Sequence, residues 1–166
     1  MLYMIDGPSN ATDLGCQNPM EVQLRRPTAG AVFLVDGLSA LVRDDVAESL
    51  RAVCPRGLRF ERVLVRGPQP GDEPIEEVML VSSEYSLHLL PSLVERRPDG
   101  TVKTLKRPWV LDKQPLPEGV GVFVIAEHPQ ISLFSEEARE VVRRHAPRAK
   151  WFSIPFVDDQ AVPVAD

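Results

Sequence analysis

The chain has 166 residues, of which 43% are hydrophobic and 26% charged, and a formal net charge of −5. That length and balance suit one globular domain spanning residues 1–166 and exclude a chain too polar to build a core. The acid excess argues against nucleic-acid and anionic-membrane partners, and no apolar run reaches the ~20 residues that span a bilayer.

In chain order, residues 2–5 read as a short strand stopped by Asp6-Gly7-Pro8, and residues 9–19 as a polar, turn-rich loop. Residues 21–24 suit an edge strand, and residues 31–35 have a strong strand pattern. A helix is predicted from about Asp44 to Cys54, because Val46, Leu50 and Val53 fall at i, i+4 and i+7. Asp44 and Asp45 open it at the positive end of the helix dipole, and Pro55 stops it. Residues 58–65 alternate as a strand, residues 66–74 form a proline- and glycine-containing loop, and residues 75–82 read as another strand. Pro98-Asp99-Gly100 is a hairpin signal between residues 93–97 and 101–105, and residues 109–111 suit a short strand. Strands follow at residues 122–126 and 131–134. Ser135 is a good N-cap for a second helix, with Glu136 and Glu137 in its first turn and Ala138, Val141 and Val142 on its apolar face. Pro147 ends it, residues 151–156 form a closing strand, and an acidic tail begins at Asp158.

Two of these stretches match. Residues 41–63 and 133–155 align without a gap at an offset of 92, with Leu41/Leu133, Glu48/Glu140, Arg51/Arg143, Pro55/Pro147, Arg56/Arg148 and Phe60/Phe152 identical. Unrelated segments give about one or two identities over such a length. Upstream, Val32-Phe33-Leu34-Val35 resembles Val122-Phe123-Val124-Ile125. The expectation is an α+β fold with a mixed or antiparallel sheet and two main helices, built from two similar strand–helix–strand units at residues 31–65 and 121–156. Phe60 and Phe152 are then expected in equivalent buried positions.

No catalytic constellation is specified. There is no glycine-rich phosphate loop, GxSxG elbow or HExxH motif. Cys16 and Cys54 form no CxxC pair, so no metal site and no cofactor is expected. His88, His128 and His145 are far apart in the chain, and the paired acids Asp44-Asp45 and Glu136-Glu137 are explained by matching helix starts. The densest acids are Asp72, Glu73, Glu76 and Glu77, the first place to look for contacts with a basic partner. Trp109, beside Arg107-Pro108, suits an interface better than Trp151 does.

The block VFVIAEHPQISLFSEEAREVVRRHAPRAKWFSIPF (residues 122–156) resembles the C-terminal signature of bacterial polymorphic-toxin and contact-dependent toxin immunity families. In those families a "DLF"-like strand leads through a short strand and an "SE" helix start to an amphipathic helix and a "GxxFxxLP"-like strand. ALVRDDVAESLRAVCPRGLRF (residues 40–60) is similar to a second segment of the same group. The group includes a double-CXXCG family and a related immunity domain. Both CXXCG pairs are absent here, so that family's zinc role does not carry over.

The resemblance implies a non-catalytic protein that binds and neutralises a cognate toxin protein. The N-terminus MLYMIDGPSN has no secretory pattern, so the expected compartment is the cytoplasm. Two other classes stay open: a small enzyme with a site between the units, where His88, Glu84 and Tyr85 could meet, and a structural or scaffolding protein.

Overall fold

Strands dominate the described residues, with two α-helices set among them. The computed structural model describes residues 1–6, 11–17, 19–25, 30, 32–35, 39–69, 71 and 73–157. Seven strands lie in the first half: β1 (Leu2–Asp6), β2 (Ala11–Gln17), β3 (Met20–Leu24), β4 (Val32–Val35), β5 (Ser39–Val42), β6 (Leu58–Arg66) and β7 (Pro74–Ser83), with helix α1 (Asp44–Val53) between β5 and β6. Then come β8 (Ser86–Leu87), the hairpin β9 (Val94–Arg96) and β10 (Val102–Leu105), β11 (Val122–Ile125), β12 (His128–Phe134), α2 (Glu136–His145) and β13 (Lys150–Ile154). The fold is α+β with mixed sheets.

Strands β2-β3-β6-β7-β5-β4 form a closed barrel. Neighbours β4/β5, β5/β7 and β7/β6 are antiparallel, β6/β3 parallel, β3/β2 antiparallel and β2/β4 parallel, the last at Ala11–Val35. The second sheet has the order β13-β1-β12-β11-β8. Its edges are joined through Leu111, which bridges to Leu89 antiparallel and to Phe156 parallel. Pairing senses therefore run the same way round both halves, with β11, β12, β1 and β13 standing where β4, β5, β7 and β6 stand in the barrel. Strand β1, the first in the chain, completes the C-terminal half.

Two expectations fail in the N-terminal half. Residues 9–19 hold a strand, β2, rather than a loop throughout. Their polar residues hide it, and the β2/β3 register shifts between Asp13 and Gln17, around Gly15 at φ +74°. Strand β3 is not an edge, because β2 and β6 flank it.

Three cores follow from the alternation of side chains. Val22, Leu24, Leu41, Val63, Val65 and Val78 are buried together inside the barrel. Leu2, Met4, Leu111, Phe123, Ile131 and Leu133 fill the second half. Between them lies a shared core, where Val46, Ala47 and Leu50 of α1 meet Ala138, Val141 and Val142 of α2. Val53, expected on the α1 stripe, is 42% exposed; Ala47 and Cys54 are buried instead. Ser135 caps α2, accepting a hydrogen bond from the Ala138 N–H. Arg43, the N-cap of α1, makes no side-chain cap bond. Two buried serines tie the halves: Ser83 Oγ donates to the Val122 carbonyl at 2.6 Å, and Ser132 Oγ to the Val81 carbonyl at 3.0 Å.

Phe60 and Phe152 are not equivalent. Phe60 packs half-buried on the shared core with the Arg51 guanidinium 4.4 Å from its ring, whereas Phe152 is 45% exposed. Register explains the difference. Phe60 pairs with Val81 of β7, but Phe152 pairs with Met4, and it is Trp151 that pairs with core residue Ile5. A one-residue slip turns every side chain to the other face. Gly57 leads into β6 with φ +72°. Ala149 stands in that place before β13, and a side chain resists such a φ. Trp151 thus takes Phe60's role, edge-on to Phe134 at 5.6 Å.

Cys54 is buried against Gly121, where an added Cβ would lie 2.2 Å from its Sγ. Burial, helped by the charge of Glu137 and opposed by a hydrogen bond from the Gly121 backbone, pushes the thiol up to about 11 and keeps it neutral.

Two stability predictions follow from this packing. Trp151→Ala should cost about 2–4 kcal/mol in denaturant melts and Phe152→Ala less than about 1 kcal/mol; equal losses would refute the slip. Gly121→Ala should cost about 1–3 kcal/mol by overpacking, and most of that loss should vanish in a Cys54→Ala background, as a double-mutant cycle can measure.

Candidate functional site

In the barrel, the β6/β3 seam is closed over four residue pairs, from Met20–Val63 to Gln23–Arg66. Alternating Met20, Val22 and Leu24 let β3 lie flat there, with Val22 and Leu24 buried. The matching seam of the second half is closed at Leu111–Phe156. Just before Leu111 the chain reads Arg107-Pro108-Trp109-Val110. Pro108 has no N–H to give to a ladder, and a large indole follows it. The seam opens here into a cleft of about 500 Å³, lined by Met4, Trp109, Phe152 and Ile154, with Arg107 and Pro155 at its sides. Arg107 lies over the Trp109 ring at 5.1 Å. The indole Nε1 is buried with no acceptor among the described residues.

A second polar node lies on the same half, where the two-residue turn between β11 and β12 carries Glu127. Its side chain is only 3% exposed, unusual for a carboxylate. One oxygen meets His88 Nδ1 at 3.0 Å and lies 3.7 Å from the Arg96 guanidinium; the other accepts from the Leu89 N–H at 3.1 Å. Glu127 thus holds the segment after β8 and the β9/β10 hairpin together. Its histidine is 60% exposed and carries a free edge to solvent. Among the described residues, no group of three or more His, Cys, Asp or Glu side chains could hold a metal ion.

The hairpin forms at Pro98-Asp99-Gly100. The Thr101 hydroxyl and N–H both donate to Asp99 Oδ1, at 2.6 and 2.9 Å, and hold that carboxyl below its ordinary range. A depressed folded-state pKa contributes stability above the ordinary carboxylate value, and that contribution is lost as pH falls through the lowered one.

The structure separates the residues singled out from sequence. Asp72 lies outside the described residues. Glu73 is exposed just ahead of β7, and Glu76 and Glu77 are on the strand itself rather than in a loop. The two oxygens of Glu76 accept from Nε and Nη2 of Arg43 at 2.8 and 3.1 Å, pinning β7 to the start of α1, and Glu77 lies 3.4 Å from Arg62. Much of that acidity is therefore paired. Trp109 belongs to the other half, packed on its core. His128 starts β12, and His145 ends α2 with its side chain exposed.

Phe152 and Glu127 escaped the sequence reading. The only signal for Phe152 was the Gly57/Ala149 difference that accompanies the slip. Nothing in Ala126-Glu127-His128-Pro129 marks a buried carboxylate, since its partners come from residues 88–96.

Glu127→Ala leaves the Leu89 N–H and the Arg96 charge without their carboxylate. It should cost about 1–3 kcal/mol and speed amide exchange at Leu89, with Glu127→Gln much milder; unchanged exchange would show that the node is not a brace.

No protein-family model matches the chain, and no curated protein matches it.

Proposed function

We propose that the chain is a non-catalytic immunity protein, which binds a cognate bacterial toxin by direct contact in the cytoplasm and neutralises it by covering it. The observation that carries this reading is the open seam: an exposed Phe152 and a Trp109 with Arg107 stacked on it border one cleft. Tryptophan and arginine at the centre of an apolar depression are the residues that carry interface energy. The partner class comes from the resemblance of residues 40–60 and 122–156 to immunity families. Occlusion needs an interface of about 1,600 Å² and no chemistry or cofactor. Glu73 and Glu77 are exposed away from the cleft lining, and with Asp72, their neighbour in sequence, they suit the steering of a basic region of the same partner.

We also infer that residues 31–65 and 121–156 are copies of one building block. Each runs strand, strand, helix, strand. Val32 pairs with Val42 and Leu34 with Ala40 as Val122 pairs with Phe134 and Val124 with Ser132. The slip at the closing strand is the departure between them.

A second reading is favoured by one observation. His88 is oriented by a buried carboxylate, the arrangement that prepares a histidine for proton transfer, so a small enzyme is the alternative.

Co-expression with the product of the adjacent gene separates the two. Under the immunity reading, wild type protects growth and forms a stoichiometric complex, and His88→Gln protects equally. Replacing Asp72, Glu73 and Glu77 by alanine should slow association, with the deficit shrinking at high salt. Loss of protection in a folded His88→Gln variant would favour the enzyme.

A further inference from the structure

We propose that the open seam is a docking groove for an extended, acidic and apolar segment of the partner protein, which adds a strand to β13. The proposal rests on the contact-inhibitor reading for the identity of that partner. Strand β13 is the edge of its sheet. Beyond it, the Leu111 N–H donates to the Pro155 carbonyl at 2.9 Å and the Val157 N–H to the Leu111 carbonyl at 3.0 Å. Backbone groups alternate sides along a strand, so the N–H and C=O of Ser153 face the way the Pro155 carbonyl and the Val157 N–H do, into the cleft. In the barrel, β3 occupies the matching seam and pairs with β6 from Val63 to Arg66. In the second half no described strand pairs with β13 on that side. An incoming strand takes the place that β3 fills in the first half.

Side chains define what enters. Phe152, Met4 and Ile154 share one wall, and Trp109 stands opposite, so residues alternating along the segment bury apolar groups between them. The charged group lining the cleft is basic although the protein is acidic. Arg107 is exposed there, as is its sequence neighbour Lys106, and no carboxylate pairs with either among the described residues. Residues between the buried ones therefore carry carboxylates. Strand addition gives affinity through the main chain, while the aromatic walls and the basic Arg107 give selection.

The test uses the full chain. Phe152→Asp removes an exposed apolar wall. Ser153→Pro removes an N–H that faces the groove and leaves the neighbouring ladder to β1, since edge strands tolerate proline on that side. Glu61→Arg is the control, because Glu61 faces Leu80 on β6 as Phe152 faces Met4 on β13. Toxin affinity should fall roughly tenfold or more for Phe152→Asp and Ser153→Pro, each confirmed folded, and stay unchanged for Glu61→Arg. Arg107→Glu should slow association most at low salt. Wild-type affinity in folded Phe152→Asp would overturn the groove and leave the contact reading standing. Should the wild-type chain fail to bind the adjacent gene's product, the contact reading falls, and random peptides displayed against the full chain then decide the groove. Peptides alternating aspartate or glutamate with apolar residues, lost on Phe152→Asp, support it. Basic peptides, or none that depend on Phe152, overturn it. So does self-association in sedimentation that Phe152→Asp abolishes, which assigns the face to a second copy of the chain.

Discussion

The C-terminal half depends on a strand from the other end of the chain. β1 lies between β12 and β13, antiparallel to both, with Tyr3 and Met4 paired to Phe134 and Leu133 on one side and residues 2–6 paired to Ile154 through Lys150 on the other. Without it β13 has no neighbour, Trp151 loses its partner Ile5 on the shared core, and the wall of Met4, Phe152 and Ile154 does not exist. Closing a sheet across nearly the whole chain is slow, because loop-closure entropy is lost before the contact is gained. Once closed, the arrangement leaves β1 and β13 side by side in one sheet, with the barrel strands lying between them in sequence.

Closure also decides where the surface is available. A barrel has no edges, so the N-terminal half offers no strand for another chain to extend. The second half approaches the same solution but reaches it only at Leu111, because Pro108 cannot donate and Trp109 does not lie flat in a ladder. Between the halves, the two helices pack on each other and the serine bonds from Ser83 and Ser132 fix how the sheets face. Cys54 against Gly121 makes that core tight at the point where the second half begins. The molecule is tightly packed where the two halves meet and open at the seam beside β13.

Local patterns were legible in the sequence and long-range pairings were not. The helices, the Ser135 cap and the hairpin at Pro98-Asp99-Gly100 have short-range causes, and they stand where the pattern predicts. β2 was invisible because its pairing with β3 tolerates polar residues and a shifted register. Phe152 was misplaced because six identities fix an alignment but not a register, and one residue of slip reverses the face. Of the aromatic residues lining the cleft, Trp109 was named in advance as a contact, and at the Glu127 node His88 was named for the enzyme reading. Glu127 looks like any turn acid until residues 88–96 fold over it. Glu76 looked like part of a free acidic patch until Arg43 closed on it.

Net charge does not locate a contact surface either. A total of −5 suggests a protein that attracts basic partners. Charge acts over about 8–10 Å in physiological salt, so a partner feels the local arrangement rather than the sum. Glu21 and Glu76 are engaged by Arg66 and Arg43. The hydrogen bonds from Arg66 hold the Glu21 carboxyl below its usual range, and the paired charges cancel locally. Among the described residues, the charge that lines the apolar cleft is Arg107. Apolar surface and a charge left unpaired among the described residues coincide at this cleft, which is why the proposed contact is placed there rather than on the acids that dominate the total.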